Sequence, residues 1–282
     1  MIIWLASYPK SGNTWIRSFL ASILYTQNGE TNLEGIKKLQ QYPLKRQFDG
    51  LIKEKFDLNN LSKNWIKSQE KINSKKKFRF LKTHHSMCNV NGNMFTNYQN
   101  SLGVIYIVRD PRNVVTSWAN HDSISFEESA NNLIDKSFKV GGLNNSKKEI
   151  VSYTGSWNFN YNSWKEFKSF SKYLLIKYED LVNDKEKIFI EVLQFLHKTR
   201  NLDFKLDKKK LQNAIISTSF DKMKEMEEKE GFDEAVIDKN NNEKKPFFFK
   251  GPKNDWKKTL SRELIKKIEK AFEKEMLELG YL

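Results

Sequence analysis

A single cysteine, Cys88, stands among 282 residues. It excludes an intrachain disulfide and a cysteine-based zinc site, and it fits a reducing compartment. No stretch approaches the roughly 18 apolar residues of a membrane span, and the apolar start is broken by Lys10 and Asn13, unlike a signal peptide. A soluble, cytoplasmic chain is expected. Acidic residues are also short, 35 against 49 basic ones, for a formal net charge of +14. Such a surface favours anions. Nucleic acid, anionic lipid, anionic polysaccharide or a polyanionic cofactor would all suit it, and charge alone does not choose among them. Internal repeats, linkers and a second hydrophobic core are missing too, so a single domain over residues 1–282 is expected. With 38% hydrophobic and 13% aromatic residues, the chain has ample material for a buried core.

What is present is concentrated at the amino terminus. Residues 2–6 form a short, nearly continuous apolar run, the mark of a strand buried on both faces. The run stops at Tyr8-Pro9, Gly12 relaxes the backbone, and Ile16, Phe19, Leu20 and Leu24 then recur at helical spacing. Strand, tight loop and helix together make an anion site. The first helical amides lack an intrahelical partner, and the macrodipole adds partial positive charge beside Lys10, Ser11 and Thr14. The lysine order of nucleoside-triphosphate loops is absent, because Lys10 precedes Gly12.

Further apolar runs predict strands over residues 78–82, 103–108 and 173–178. In open α/β sheets, reactive groups gather beyond the carboxyl ends of strands. One such end carries Thr83-His84-His85-Ser86. Neighbouring histidines point different ways and no spaced ligand completes a set, so no metal is expected. Another end carries Arg109-Asp110-Pro111, with Pro111 suited to a first helical turn. Arg109 can grip a phosphate with two prongs, and Ser117, eight residues on, lies near the same helical face. An ion pair of Arg109 with Asp110 or Glu179 is the structural alternative. Helices are predicted over residues 61–74, 125–136, 151–170 and 261–279, with Trp157, Tyr161, Trp164 and Phe167 as core. Residues 28–49 read as an excursion from the main sheet, 75–77 as a solvated basic helix end, and 225–245 as a charged loop.

The octet Tyr8-Pro9-Lys10-Ser11-Gly12-Asn13-Thr14-Trp15 resembles the 5′-phosphosulfate loop of the sulfotransferases that use 3′-phosphoadenosine 5′-phosphosulfate (PAPS), with its pattern Y-P-K-[SA]-G-[TN]-[TS]-[WL]. Lys82-Thr83-His84 is similar to the K-T-H in which that family carries its catalytic base. Arg109 with Ser117 resembles its 3′-phosphate motif, Tyr178-Glu179-Asp180-Leu181 its Y-E-D-L, and Thr218-Ser219-Phe220 its T-S-F. Residues 249–256 resemble R-K-G-x-x-G-D-W through Lys250, Gly251, Asp255 and Trp256. Phe249 stands in place of the arginine there, and Asn254 in place of the second glycine. That arginine helps bind the 3′-phosphate, so affinity should weaken unless Lys250, Lys253 or Arg112 takes over.

The resemblance implies an α/β fold like that of P-loop NTPases, with a central, mostly parallel sheet flanked by helices. It implies transfer of a sulfuryl group from PAPS to a hydroxyl or amine, leaving adenosine 3′,5′-bisphosphate (PAP), with no metal. His84 would be the general base, Lys10 would neutralise the bridging oxygen, and Lys82 would hold sulfuryl oxygens or the 5′-phosphate. Lys10, Ser11, Gly12, Asn13, Thr14 and Trp15 would hold the phosphosulfate. Arg109, Ser117, Tyr178, Thr218, Phe220, Lys250 and Gly251 would hold the remainder of the nucleotide. A small-molecule or glycan acceptor is expected, with no nucleic-acid partner and no membrane span. Two other readings compete. A nucleotide kinase or ATPase lacks its loop order and a strand-end acid here, and a nucleic-acid-binding protein rests on charge alone. Residues 28–49, 87–101 and 225–249 carry no readable code for the acceptor.

Overall fold

Apolar runs without polar alternation suit strands covered on both faces, and the computed structural model has them so. It describes residues 1–53, 55–74, 77–141, 150–169, 172–238 and 242–282. In chain order the first elements are β1 (Ile2–Ser7), α1 (Asn13–Tyr25), α2 (Leu33–Lys38), β2 (Gln40–Gln41), α3 (Leu58–Asn73), β3 (Arg79–Thr83), β4 (Asn89–Val90) and β5 (Asn93–Met94). Then come β6 (Ser101–Val108), α4 (Pro111–Asp122), α5 (Phe126–Ile134), β7 (Lys139–Val140), β8 (Ser152–Tyr153), α6 (Trp157–Lys165), β9 (Lys172–Lys177) and α7 (Tyr178–Asn183). The last are α8 (Lys185–Arg200), α9 (Lys208–Ser217), α10 (Phe220–Glu230), β10 (Val236–Ile237), β11 (Lys244–Lys245) and α11 (Arg262–Leu279).

The main sheet has the order β2-β3-β1-β6-β9, and every pairing in it is parallel. The chain leaves β1 to one side for β3 and returns to the other for β6. That reversal opens a crevice beyond the carboxyl ends of the strands. Register aligns those ends: Ala6 pairs with Thr83, Ser7 with Ile107, and Val108 with Lys177. One step further, His84 follows β3, Arg109 follows β6 and Tyr178 follows β9 at one edge of the sheet.

Alternation along the strands divides the core into two layers. Ile2, Trp4, Ala6, Val104, Tyr106 and Val108 join Trp65, Trp157, Trp164, Phe272 and Met276 on one side. Ile3, Leu5, Ile105, Ile107 and Ile176 face the other, where Phe19 of α1 stacks on Phe189 of α8 at 3.7 Å. The predicted core aromatics Trp157, Tyr161, Trp164 and Phe167 are all buried.

Several expectations need correction. Residues 28–49 do not leave the sheet altogether: Gln40 and Gln41 pair with Leu81 and Lys82 and form its edge. The helix predicted over 151–170 starts only at Trp157, capped by Ser156, because Ser152 and Tyr153 pair with Val140 and Lys139. Phe170 lies outside the described residues, as do Lys75 and Lys76 of the basic run. Residues 225–230 are the end of α10 rather than loop, and β10 pairs with β11, while residues 239–241 are not described. The strand expected to reach Tyr178 stops at Lys177, where α7 begins.

Candidate active site

Between β1 and α1 the chain turns through two left-handed residues, Lys10 at φ 64° and Gly12 at φ 98°. Only glycine takes that conformation freely. Space makes the same demand at Gly12, where a Cβ would sit 2.5 Å from Cδ2 of Tyr178. Asn13 ties the loop to the strand, its amide donating to the Leu5 carbonyl over 2.9 Å and to Ser7 Oγ over 3.2 Å. These bonds pin the helix start to the end of β1 and so fix the loop between them beside the crevice.

A cleft of about 820 Å³ lies there. Lys10, Gly12, Asn13, Thr14, Trp15, Lys82, His84, Arg109, Ser117, Tyr178, Thr218, Phe220, Lys250 and Gly251 all line it. Among the expected site residues Ser11 alone does not: its side chain is fully buried, and its Oγ has no hydrogen-bond partner among the described residues. His85 is elsewhere as well, stacked on Phe95 at 4.2 Å inside the core. No group of three or more His, Cys, Asp or Glu able to hold a metal occurs among the described residues.

The two strand ends meet directly. Arg109 Nη1 donates to the Lys10 carbonyl over 3.1 Å, and Nη2 donates to the Gly251 carbonyl over 3.4 Å. Its guanidinium lies 4.1 Å from the centre of the Tyr178 ring, which the β6–β9 register places beside it. An ion pair with Asp110 or Glu179 is not what holds it. Asp110 pairs with Arg112 at 2.7 Å, and Glu179 accepts from the Asp110 N–H and the Tyr281 hydroxyl. This also bears on the arginine missing at position 249. Arg112 is engaged by Asp110, Glu269, the Tyr281 carbonyl and the face of Trp256, whereas Lys250 lines the cleft.

His84 Nδ1 lies 2.8 Å from the Ser7 carbonyl oxygen. A carbonyl only accepts, so Nδ1 carries the proton and Nε2 is the basic nitrogen. Burial, reinforced by the Lys82 charge, lowers the His84 pKa to about 3 and keeps the ring neutral. Burial also lowers Lys10 to about 8, and the nearby Lys82 and Arg109 push the same way against the attraction of Glu234.

Arg17, Glu234 and His121 were missed from the sequence. Arg17 is the one charged residue of α1, and that isolation inside an apolar helix was its signal. It pairs with Glu234, which also reaches Lys82 at 3.0 Å. His121, at the end of α4, faces Trp118 and Phe247 and is lowered to about 3 by burial and by Lys10. Glu234 lies in the turn after α10 and offers no local pattern.

A family model of the sulfotransferase domain matches residues 2–280. The chain belongs to the sulfotransferase domain family. It is 27% identical to human sulfotransferase 1E1, over 97% of this chain and 83% of that protein. It is 25% identical to rat sulfotransferase 1C2, over 90% of this chain and 75% of that one. Mouse sulfotransferase SULT7A1, solved in complex with PAP, superposes with a TM-score of 0.58 at 21% identity, over 98% of this chain and 83% of that one. Retinol dehydratase, solved with retinol and PAP, gives 0.59 at 18% identity, over 98% and 81% of the two chains. The fold is the sulfotransferase fold: a central parallel sheet flanked by helices, with the cleft at the carboxyl ends of its strands. Among the described residues, no helix of this sulfotransferase is long and apolar enough to cross a membrane.

Proposed function

We propose that this protein transfers the sulfuryl group of PAPS to a hydroxyl or amine of a small-molecule acceptor, with His84 as general base. The observation that carries the reading is the convergence of Lys10, Lys82, His84 and Arg109 in one cleft. The residues fit a doubly anionic adenosine compound. Among the described residues Arg109 Nε is a buried donor without a partner, and Gly251 lies so close to Phe220 that a Cβ there would meet the ring at 2.2 Å. When bound, PAPS supplies an activated sulfuryl group on a phosphate that leaves.

The chain's own groups divide that work. Lys10, Lys82, Thr14 and the backbone of residues 11–15 hold the phosphosulfate end. Arg109, Ser117 and Lys250 hold the 3′-phosphate, while Tyr178, Thr218, Phe220 and Gly251 enclose the nucleoside. His84 Nε2 takes the acceptor's proton, with Nδ1 fixed by the Ser7 carbonyl. Trp118, Phe138, Val140, Ile150 and Phe247 line the same cleft and support an acceptor with an aromatic or aliphatic body.

Calorimetry with PAP and a panel of acceptors with radiolabelled PAPS test the reading. Arg109→Ala should weaken PAP on the order of 30-fold, the worth of a charge-assisted contact. Unchanged affinity would remove Arg109 from the 3′-phosphate. The pH profile is a second check. Lys10 loses its charge as pH rises through about 8, so kcat/KM for PAPS should fall above that point. Lys10→Arg, charged throughout, should flatten the alkaline limb, and a limb that persists in that variant would assign it to another group.

A further inference from the structure

We propose that Arg17, Lys82 and Thr14 form an oxyanion subsite for the transferable end of the donor, and that Glu234 competes for it as a built-in anion. The proposal rests on the PAPS-dependent reading above and adds Arg17 and Glu234 to it.

A charge buried in an apolar helix needs a partner. The Arg17 side chain is only 7% exposed and points to the same place as Lys82, from the end of β3, and Thr14, one turn earlier on α1. What meets them is a carboxylate from more than two hundred residues away. One Glu234 oxygen pairs with Arg17, and the other lies 3.0 Å from Lys82 Nζ and 3.5 Å from Thr14 Oγ1. Two oxygens sharing one charge across several donors is also the edge that a sulfuryl or phosphate group presents. Partial burial would raise the Glu234 carboxyl, but Lys82 and Arg17 override it and keep it ionised. Its field reaches both Lys10 and His84. The carboxylate therefore stands among the groups assigned to the leaving oxygen and the base.

Two anions on one set of cations repel each other, so donor and Glu234 exclude one another there. The exchange needs little more than movement of that side chain. The surrounding wall is separately anchored: Phe232 packs on Phe247 and Phe248 at 4.9 and 5.2 Å, and the Glu227 carboxylate accepts from both of their N–H groups.

The test compares the parent chain with Glu234→Gln and Glu234→Ala, using calorimetry with PAPS and PAP and thermal melting in inorganic sulfate. PAPS should bind about tenfold tighter to both variants, because the competing anion is gone. Sulfate should raise their melting midpoints more than the parent's, and Arg17→Ala in the Glu234→Gln background should abolish that gain. Tightening should be confined to PAPS, because PAP lacks the transferable group; equal tightening of PAP would overturn that placement and put the 5′-phosphate in the subsite. Should loss of the carboxylate unfold the chain, Glu234→Asp is too short to span Arg17 and Lys82 together and should show the same direction. Unchanged or weaker PAPS binding in the folded variants overturns the proposal and makes Glu234 a fixed support for Lys82. Failure of PAP and PAPS to bind any of the chains overturns the PAPS-dependent reading instead, while the sulfate response still reports on the subsite.

Discussion

Replacing His84 with alanine is expected to lower kcat about 100-fold or more while PAP affinity stays within about twofold of the parent value. The split follows from geometry. His84 lies beyond β3, with its proton-bearing nitrogen on the Ser7 carbonyl, and Arg109 and the loop of residues 8–12 hold each other without it. Removing the imidazole thus takes away a proton acceptor and leaves the nucleotide cradle standing. Single-turnover rates with PAPS and an accepted alcohol, alongside PAP calorimetry, measure the two quantities separately. A rate near that of the parent would strip His84 of the role. Its replacement would not be His85, whose fully buried ring stacks on Phe95 away from the cleft. His121 is the other imidazole lining the cleft, and a double variant would then identify it.

The parts of this site that the sequence makes legible are those in which chemistry and secondary structure are neighbours along the chain. Residues 2–25 are readable because a buried parallel strand is continuously apolar and the helix after it is not. Arg109 and His84 are readable because each follows an apolar run directly, and parallel pairing brings such ends to one edge. The rest depends on contacts without local period. Gln40 and Gln41 are polar and brief, and they become an edge strand only because β3 offers backbone partners. Glu234 meets Arg17 and Lys82 through a turn whose own composition resembles any solvated loop. Arg112 was a candidate for the missing 3′-phosphate contact. Only the tertiary structure shows it engaged by Asp110, Glu269 and Trp256.

Gly12→Ala is expected to weaken PAP binding about 100-fold while leaving the fold intact, through two penalties at one residue. The first is conformational. At φ 98° a side chain raises the energy of the loop by about 1–2 kcal/mol, or about tenfold in affinity if the loop relaxes away from the bound shape. The second is steric and reaches further. The new methyl would lie 2.5 Å from Tyr178, and that ring supports the Arg109 guanidinium at 4.1 Å. Pushing Tyr178 aside disturbs the group assigned to the opposite end of the nucleotide, so one methyl affects both phosphates. A double-mutant cycle separates the two penalties. Tyr178→Ala removes the ring that the methyl strikes, so adding Gly12→Ala to it should cost only the conformational part, about tenfold. Full additivity of the two changes would mean that Gly12 and Tyr178 act independently, and that the loop of residues 8–12 and Arg109 are not coupled through the ring between them.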